Sequence, residues 1–572
     1  MKKILFIVLV LVCTGVKAQW SSDPKDNLQL AGQSIYGTEV CALSDGSWYL
    51  YYNGPNEGTT MPWLQYFDKD GNMLWDDEMV ITDAPTKTYN VYNNFLFVDR
   101  DGNAIVVNQD LRVENYNAYT AYKINKMGEH LWNHTGVSLH GDILPSFAAA
   151  LKIIQLDDGS YVFCWEEEND ISDAIVVRMQ RLSPQGERLW GDGKQLAMEQ
   201  TSITYPYMID AGNNEFILMY AQGATQELYA RKFDFDGDDI WSSPTLVYNG
   251  PLPTTPLWTW MKVIPVEGGL AAAWPGYDPE QALLAWIKGD GTHVFLEAEK
   301  GLRMGYTENF RCSAPDVVFD AENRVFYSLW REFDAVTQAW QRIAAQKISA
   351  EGELLWDPTG VDIAPLEQRS VSYTSVQLGP KGSMLGAFME MKNAGDNVVG
   401  AYAVLVDAEG RYVWMDTAVT IASHENGSCK SSMLSMPMVG DQWIFVWSDF
   451  RDFEDLNTHN VYGQNLRVDG TIGVIETGNE YGMPAEEVLQ VYPNPVVSSM
   501  EITWKNNGPA LHNARVELLD LKGSVVATLY NGTLASGNNL IEWRRPSGLA
   551  SGMYLIRAVA GKERSYGKVI LK

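Results

Sequence analysis

The chain of 572 residues is poor in the residues on which most metal sites and catalytic triads are built. It contains 7 histidines, scattered along the sequence, and 5 cysteines without a Cys-x-x-Cys pair. These residues give little material for a zinc site, a histidine-based triad or a small fold stabilised by disulfides. We therefore expect no metal and no cofactor.

Four cysteines follow the N-terminal segment: Cys41, Cys164, Cys312 and Cys429. They admit three complete disulfide pairings. The sequence is compatible with four buried thiols and also with one or two disulfide bridges.

Long apolar runs are absent from the chain after its N-terminal segment. No window of about 20 residues in that part is free of charge, so no membrane-spanning helix is predicted. The N-terminus does contain an apolar run, which follows two lysines and reaches about Thr14. Small or branched residues then occupy positions −3 and −1 before a cleavage site between Ala18 and Gln19. Residues 1–18 are predicted to be a secretory signal peptide.

Basic residues are scarce, with 43 Lys and Arg against 72 Asp and Glu. Residues 486–572 hold 10 basic and 7 acidic residues, which leaves a charge of about −35 on residues 19–485. Such an acidic body repels nucleic acid and anionic lipid. The change in charge predicts a domain boundary, and the Gly, Asn and Pro residues of 478–488 are typical of a linker.

Motifs for several enzyme classes are also missing, including His-Glu-x-x-His, Gly-x-Ser-x-Gly and a phosphate-binding glycine loop. Two segments, Asp68–Gly71 and Asp234–Asp239, are rich in oxygen ligands. Their glycines fall two positions early for an EF-hand loop, so we interpret both segments as hairpin turns.

An internal repeat dominates the sequence that remains. A glycine is followed four residues later by an aromatic anchor in seven units: Gly71/Trp75, Gly128/Trp132, Gly186/Trp190, Gly237/Trp241, Gly291/Phe295, Gly352/Trp356 and Gly410/Trp414. An eighth unit keeps Gly470 and has Val474 in place of the aromatic residue.

Each unit alternates apolar and polar residues in runs separated by Asp-Gly or Pro-x-Gly turns, which predicts four strands joined by hairpins. Four strands in each repeat are typical of a β-propeller blade, with the anchor packed between neighbouring blades. The segment from Trp20 to Leu30 is similar to the fourth strand of the other units. We expect it to complete the last blade, with Trp20 replacing the missing aromatic residue, and so to close an eight-bladed β-propeller over residues 19–477.

The units resemble a family of secreted bacterial repeat proteins with the pattern Trp-x-Asp-x-Arg, then Tyr-x-Gln, then Gly-x-x-x-Trp. The last unit carries this pattern in Trp447-Ser-Asp449-Phe-Arg451 and Tyr462-Gly-Gln464, and Trp330-Arg-Glu332 follows it in part. The resemblance implies architecture and no activity.

The C-terminal segment 489–572 contains seven short alternating runs, which predict an immunoglobulin-like β-sandwich. Its motif residues are Tyr492, Pro493, Asn494, Pro495, Gly552, Tyr554, Lys568 and Lys572. On these residues the segment resembles the type A C-terminal sorting domain of type IX secretion in Bacteroidota. The resemblance implies Sec export, recognition by the type IX machinery, and an extracellular or outer-membrane surface location. It also implies removal of the module and attachment of the body to surface lipopolysaccharide.

The long connections between strands are expected on one face of the body, with the tight turns on the other. The long-connection face carries eight aromatic residues: Tyr89, Tyr92, Tyr205, Tyr207, Trp258, Trp260, Tyr306 and Tyr373. Two acidic loops, Glu166–Asp170 and Asp449–Asp455, are predicted beside them. Aromatic rings next to carboxylates suit recognition of a glycan or a protein.

We choose Tyr205, Tyr207, Trp258 and Trp260 as candidate ligand-binding residues of a monomeric binding protein. A polysaccharide-active enzyme that uses carboxylates in the propeller funnel is one alternative. A structural surface component is the other.

Overall fold

The computed structural model describes the following residues: 20–34, 38–56, 59–82, 84, 95–110, 117–141, 145, 147–168, 174–196, 201–223, 227–250, 252, 261–276, 281–295, 300–305, 307–391, 398–414, 418–423, 430–451, 459–473, 489–492, 495–506, 511–520, 525–560 and 563–572. The chain divides into two compact units, Met1–Val474 and Ile475–Lys572. The predicted signal peptide with its Ala18–Gln19 cleavage site, and the predicted linker 478–488, lie outside the described residues.

The first unit is all-β, and its described residues form eight four-stranded antiparallel sheets that are consistent with propeller blades. Sheet 1 contains β2 (Glu39–Ala42), β3 (Trp48–Asn56), β4 (Thr59–Phe67) and β5 (Met79–Val80). Sheet 2 contains β6 (Leu96–Val98), β7 (Ala104–Asp110), β8 (Ala118–Ile124) and β9 (Val137–Ser138). Sheet 3 contains β10 (Ala148–Gln155), β11 (Tyr161–Glu168), β12 (Ile175–Leu182) and β13 (Lys194–Leu196). Sheet 4 contains β14 (Ile203–Gly212), β15 (Glu215–Gln222), β16 (Glu227–Phe233) and β17 (Thr245–Tyr248).

The remaining sheets of this unit follow the same order. Sheet 5 contains β18 (Lys262–Val266), β19 (Gly269–Gly276), β20 (Gln281–Ile287) and β21 (Leu302–Arg303). Sheet 6 contains β22 (Phe310–Asp320), β23 (Val325–Asp334), β24 (Trp340–Ser349) and β25 (Val361–Gln368). Sheet 7 contains β26 (Ser370–Leu378), β27 (Met384–Met391), β28 (Val398–Val406) and β29 (Val419–Ser423), with a 3-10 turn at Pro380–Gly382. Sheet 8 contains β30 (Lys430–Ser435), β31 (Gln442–Asp449), β32 (His459–Arg467) and, as its fourth strand, β1 (Leu28–Ser34).

The N-terminal strand joins the last sheet as the sequence predicts. Strand β1 pairs antiparallel with β32, with Leu28 opposite Gly463 and Ser34 opposite His459. Sheets 8 and 1 share an apolar cluster that includes Trp20, Leu50 and Ile444. The first and last sheets are therefore in direct contact.

The anchor aromatics pack against the repeat glycine of the next sheet, as expected. The pairs are Trp20–Gly71, Trp75–Gly128, Trp132–Gly186, Trp190–Gly237, Trp241–Gly291, Phe295–Gly352, Trp356–Gly410 and Trp414–Gly470. A Cβ atom on any of these glycines would lie 2.8–3.6 Å from the nearest atom of the ring. Each glycine has φ between 74° and 90°, so both the backbone and the close approach of the ring favour glycine.

The described residues of the second unit form seven strands, all of which the sequence predicts within a few residues. They are β33 (Leu489–Tyr492), β34 (Ser499–Asn506), β35 (Leu511–Leu519), β36 (Val525–Leu534), β37 (Gly537–Arg544), β38 (Gly552–Ala560) and β39 (Glu563–Leu571). They form a sheet of order β33-β34-β37 and a sheet of order β36-β35-β38-β39. One apolar core containing Ile502, Val516 and Ile556 lies between the two sheets.

Candidate functional site

Tyr205 and Tyr207 lie in the first half of β14, the first strand of sheet 4. The pairing of β14 with β15 is irregular between Thr204 and Tyr207, and Tyr205 has φ of 56°. Bulges of this kind redirect side chains and are common beside functional sites. Both tyrosines are half-buried and pack against the core, with the Tyr207 hydroxyl donating to the Met261 carbonyl at 3.2 Å.

A lysine and two carboxyl groups accompany these tyrosines. Lys152 of β10 places its Nζ atom 5.1 Å from the centroid of the Tyr207 ring. The backbone N–H of Tyr205 donates to Glu166, which lies near the end of β11. Glu39 of β2 accepts the N–H groups of Phe95 at 2.8 Å and Leu96 at 3.1 Å. We call Glu39, Lys152, Glu166, Tyr205 and Tyr207 the inner-strand cluster.

Burial shifts the protonation equilibria of this cluster. It raises the pKa of Glu39 and that of Glu166 to about 7, although the field of Lys152 opposes both shifts. Burial also lowers the pKa of Lys152, against the attraction of Glu39 and Glu166. Lys152 and Glu39 keep part of their surface accessible to water. Carboxyl groups that titrate near neutral pH can donate or accept hydrogen bonds there, which suits either recognition of hydroxyl groups or proton transfer.

Of the six other predicted aromatic residues, one belongs to the part of the chain that the structure describes. Tyr89, Tyr92, Trp258, Trp260 and Tyr306 lie outside the described residues, whereas Tyr373 is a residue of β26. The acidic loop predicted at Glu166–Asp170 begins instead as strand, because Glu166–Glu168 belong to β11. Glu166 and Glu167 are buried, and hydrogen bonds from neighbouring groups offset the cost of burying them.

Three further acidic residues have structural partners that recur from sheet to sheet. The indole N–H groups of Trp165, Trp330 and Trp447 donate to Glu167, Glu332 and Asp449 respectively, each two residues later. Each carboxylate also accepts a hydrogen bond from an arginine: Arg178, Arg342 or Arg451. The Trp-x-acid pattern in the sequence therefore indicates a buried tryptophan–carboxylate–arginine unit, which was not anticipated.

The two oxygen-rich segments form hairpin turns, as interpreted from the sequence. Asp68 Oδ1 accepts the N–H groups of Asp70 and Asn72, both at 2.9 Å. Asp234 Oδ1 accepts those of Asp236 and Asp238 at the same distance. Within the described residues, no three His, Cys, Asp or Glu side chains are grouped so that they could hold a metal ion.

Three of the four predicted mature cysteines are free thiols in the structure. Cys41 is half-buried, and Cys164 and Cys312 are buried. Burial raises the pKa of each of these thiols to about 12. Cys429 lies outside the described residues.

The sorting motif brings distant segments of the second unit together at one corner. Val496 forms a parallel bridge with Leu571, donates to the Ile570 carbonyl at 2.7 Å and accepts the N–H of Lys572 at 2.8 Å. The Arg545 guanidinium donates to the Lys572 carbonyl and also to the Leu549 carbonyl.

The individual motif residues differ in their surroundings. Tyr492 is 76% exposed, and Pro495 and Lys572 are also exposed. Gly552 begins β38, while the buried Tyr554 donates its hydroxyl to the Ala550 carbonyl. Lys568 lies in β39, and Pro493 and Asn494 lie outside the described residues. The terminal strand and the segment after the proline motif thus form one structural unit.

Residues 490–572 match the family model of the secretion system C-terminal sorting domain. This module is a type IX secretion sorting domain, and the protein is exported to the cell surface or the extracellular space. It interacts with the type IX secretion machinery. Among the described residues, no helix has the length and apolar character needed to cross a membrane.

Solved structures similar to this chain have low sequence identity. The polysaccharide lyase Uly1 is 10% identical, with a TM-score of 0.37, over 80% of this chain and 93% of that chain. A eukaryotic initiation factor is 9% identical, with a TM-score of 0.40, over 76% and 86% of the two chains. An endo-arabinase from Bacteroides thetaiotaomicron is 11% identical, with a TM-score of 0.26, over 45% and 92%. At these scores the likenesses carry no argument about function. No curated protein matches the chain.

Proposed function

We propose that the body is one closed eight-bladed β-propeller over residues 19–477, followed by a linker at 478–488 and an immunoglobulin-like sandwich at 489–572. Two contacts between sheets 8 and 1 support the closure. Trp20 packs on Gly71, and a Cβ atom on Gly46 would lie 2.6 Å from Val439. The division of seven strands into sheets of three and four supports the sandwich.

We propose that the exported body binds a glycan or a protein through the face that carries the inner-strand cluster. The supporting observation is the placement of Tyr205 and Tyr207 beside Lys152 and Glu166, where half-buried rings adjoin groups that donate and accept hydrogen bonds. Flat apolar surface and a few fixed polar groups are the usual components of such sites. The sequence predicts Trp258 and Trp260 as further ligand-binding residues, and both lie outside the described residues.

Binding assays on the full mature chain test this proposal. The protein is applied to glycan and protein arrays, and the affinity for each ligand found is compared with that of Tyr207→Ala. We expect a loss of about 10-fold or more, because truncation of an aromatic anchor in a binding site costs over 1 kcal/mol. Tyr207→Phe keeps the ring and should retain most of the affinity. Unchanged affinity in Tyr207→Ala would place the ligand elsewhere.

A polysaccharide-active enzyme is the second candidate function, and the protonation of the inner-strand cluster favours it. Glu39 and Glu166 both have a pKa raised to about 7 by burial, as a general acid requires. Polysaccharide turnover by the full chain that is abolished by Glu39→Gln or Glu166→Gln, with binding retained, would establish this function. The absence of turnover on substrates that the protein binds would favour the binding role.

We propose that export begins through Sec with the predicted signal peptide, and that the sorting module is removed before the body is attached to surface lipopolysaccharide. The sorting-domain match supports the type IX step. Intact mass of the surface-released protein tests both cleavages. We expect it to start at Gln19 and to lack residues 490–572.

A further inference from the structure

Two clefts between neighbouring sheets have the same construction. The first cleft lies between β1 of sheet 8 and sheet 1 and has a volume of about 530 Å³. The second cleft lies between β25 of sheet 6 and sheet 7 and has a volume of about 360 Å³. In both cases one wall is the outer strand of one sheet and the other wall is formed by the next sheet along the chain.

An aromatic pair occupies the same position in each cleft. Trp63 and Tyr402 are the fifth residues of β4 and β28, and each lies eight residues before the repeat glycine of its unit. Trp63 stacks on its cross-strand partner Tyr52 with ring centroids 6.2 Å apart. Tyr402 stacks on its cross-strand partner Phe388 at 5.5 Å. The partner ring is buried in both pairs, whereas Trp63 and Tyr402 are half-buried at the cleft wall.

Polar side chains complete both clefts. In the first cleft Glu78 and Tyr52 line one wall, and the amides of Gln29 and Asn460 line the opposite wall. In the second cleft Arg369 donates to Glu390 at 2.9 Å, and Glu367 lies at the same wall. Each cleft therefore combines one accessible aromatic ring with groups that donate and accept hydrogen bonds.

Aromatic pairs occupy the same strand position in two other sheets, 4 and 8. In sheet 8 the guanidinium of Arg451 lies 4.2 Å from the centroid of the Tyr462 ring and covers it. In sheet 4 Tyr229 stacks on Tyr220 and donates its hydroxyl to Glu227. Packing between strands accounts for an aromatic pair at this position. It does not account for a cavity with polar walls beside the ring.

We propose that the two clefts are equivalent subsites for single sugar rings of a neutral polysaccharide. The apolar face of a pyranose stacks on an aromatic ring, while carboxylates and amides take its hydroxyl groups. The charge of about −35 on residues 19–485 repels anionic polymers, which makes the ligand a neutral one. Both volumes fall in the range of about 300–1,000 Å³ that small-molecule sites occupy. This inference goes beyond the proposed binding site, because the two clefts contain no residue of the inner-strand cluster.

Two sites in the same compact unit give the polymer a bivalent attachment. When one site is occupied, the second site meets a tethered segment of the same chain at high effective concentration. The affinity for a polymer should then exceed that for a short oligosaccharide by about 10²-fold or more. Loss of either ring should remove most of this advantage.

The test uses the full mature chain with immobilised β-glucan, α-mannan and xylan, and with alginate and heparin as anionic comparisons. We expect binding to at least one neutral polymer and none to the anionic ones. Trp63→Ala and Tyr402→Ala should each weaken the binding by about 10-fold or more, and the double variant should abolish it. Tyr402→Phe keeps the ring and should bind like the unchanged protein. Tyr229→Ala removes the equivalent aromatic residue of sheet 4 and is the matched control.

The other outcomes separate this inference from the proposed function. Binding of the neutral polymer that survives both Trp63→Ala and Tyr402→Ala, in variants with unchanged thermal unfolding, overturns the subsites and leaves the binding function in place. A loss equal in Tyr229→Ala overturns them as well. If the unchanged protein binds neither the polymers nor any member of a glycan or protein array, the subsites and the binding function both fail.

Discussion

Gln464 donates a hydrogen bond of 2.8 Å from its Nε2 atom to the carbonyl oxygen of Ser21, which lies 443 residues earlier in the chain. The same bond occurs within single units. Gln180 donates to Gly191 at 3.0 Å, and Gln346 donates to Asp357 at 2.9 Å. In every case the acceptor is the residue that follows the anchor aromatic. Trp20 therefore occupies the anchor position of sheet 8, although it is separated from β32 by nearly the whole body.

Trp20→Ala should destabilise the body as much as loss of an anchor within a continuous unit. Trp20 is 1% exposed and packs on Gly71, and its indole N–H donates to the Lys69 carbonyl at 3.2 Å. Truncation of a buried aromatic residue costs about 3–5 kcal/mol because it leaves a cavity. Urea unfolding monitored by fluorescence measures this loss.

Trp132→Ala is the matched control, because Trp132 packs on Gly186 and donates to the Pro184 carbonyl at 2.9 Å. We expect a similar loss in both variants, and a loss at least as large when residues 19–31 are deleted. If Trp20→Ala cost less than about 1 kcal/mol while Trp132→Ala showed the full effect, the N-terminal segment would not hold sheets 8 and 1 together.

Acidification should favour the unchanged protein over Glu166→Gln. Burial raises the pKa of Glu166 from 4.5 to about 7, so the folded state binds the proton more tightly than the unfolded state. The stability that this group contributes is complete below pH 4.5 and is lost as the pH rises through 7. From pH 8 to pH 5 the unchanged protein should gain roughly 2–3 kcal/mol relative to the variant.

Urea unfolding at the two pH values checks this difference. Glu168→Gln, which makes the same change at an exposed position of the same strand, serves as the control. A difference between the unchanged protein and Glu166→Gln that stays constant from pH 8 to pH 5 would contradict a raised pKa at this site.

The repeat made most of the fold predictable from the sequence, whereas the details of the candidate site depend on contacts between sheets. Glycine and aromatic spacing located the anchors, and the likeness of Trp20–Leu30 to a fourth strand located β1. The sequence predicts Glu166 in a loop, because a run of acidic residues is usually solvated. In the structure Glu166 is buried and accepts a hydrogen bond from the backbone N–H of Tyr205 in the next sheet, a contact that no local pattern reveals. The stacked ring of Trp63 is likewise visible in the sequence, but the cleft beside it is not.

The thiols of Cys41, Cys164 and Cys312 should be present in the folded protein and slow to react. Burial raises the pKa of each to about 12, so the thiolate fraction at pH 8 is very small. Alkylation with iodoacetamide followed by mass spectrometry should label these three residues rapidly in urea and slowly without it. A disulfide among them would leave a pair unlabelled in urea until a reductant is added. A reductant should also leave the thermal unfolding of the body unchanged.

Deletion of the last five residues, 568–572, should block export and leave the body folded. The deletion removes the strand end that pairs with Val496 and the carbonyl of Lys572 that Arg545 binds. It also uncovers the core beside Tyr554, because Val569 and Leu571 are buried members of the same apolar cluster. The first unit has its own apolar clusters, so its unfolding should not change. Cell fractionation should find the truncated protein in the periplasm, as it should for deletion of 486–572. Val525→Ser changes an exposed residue of β36 and should preserve export. Normal secretion of the truncated chain would show that the export machinery does not need the contacts of Val496 and Arg545 with the C-terminus.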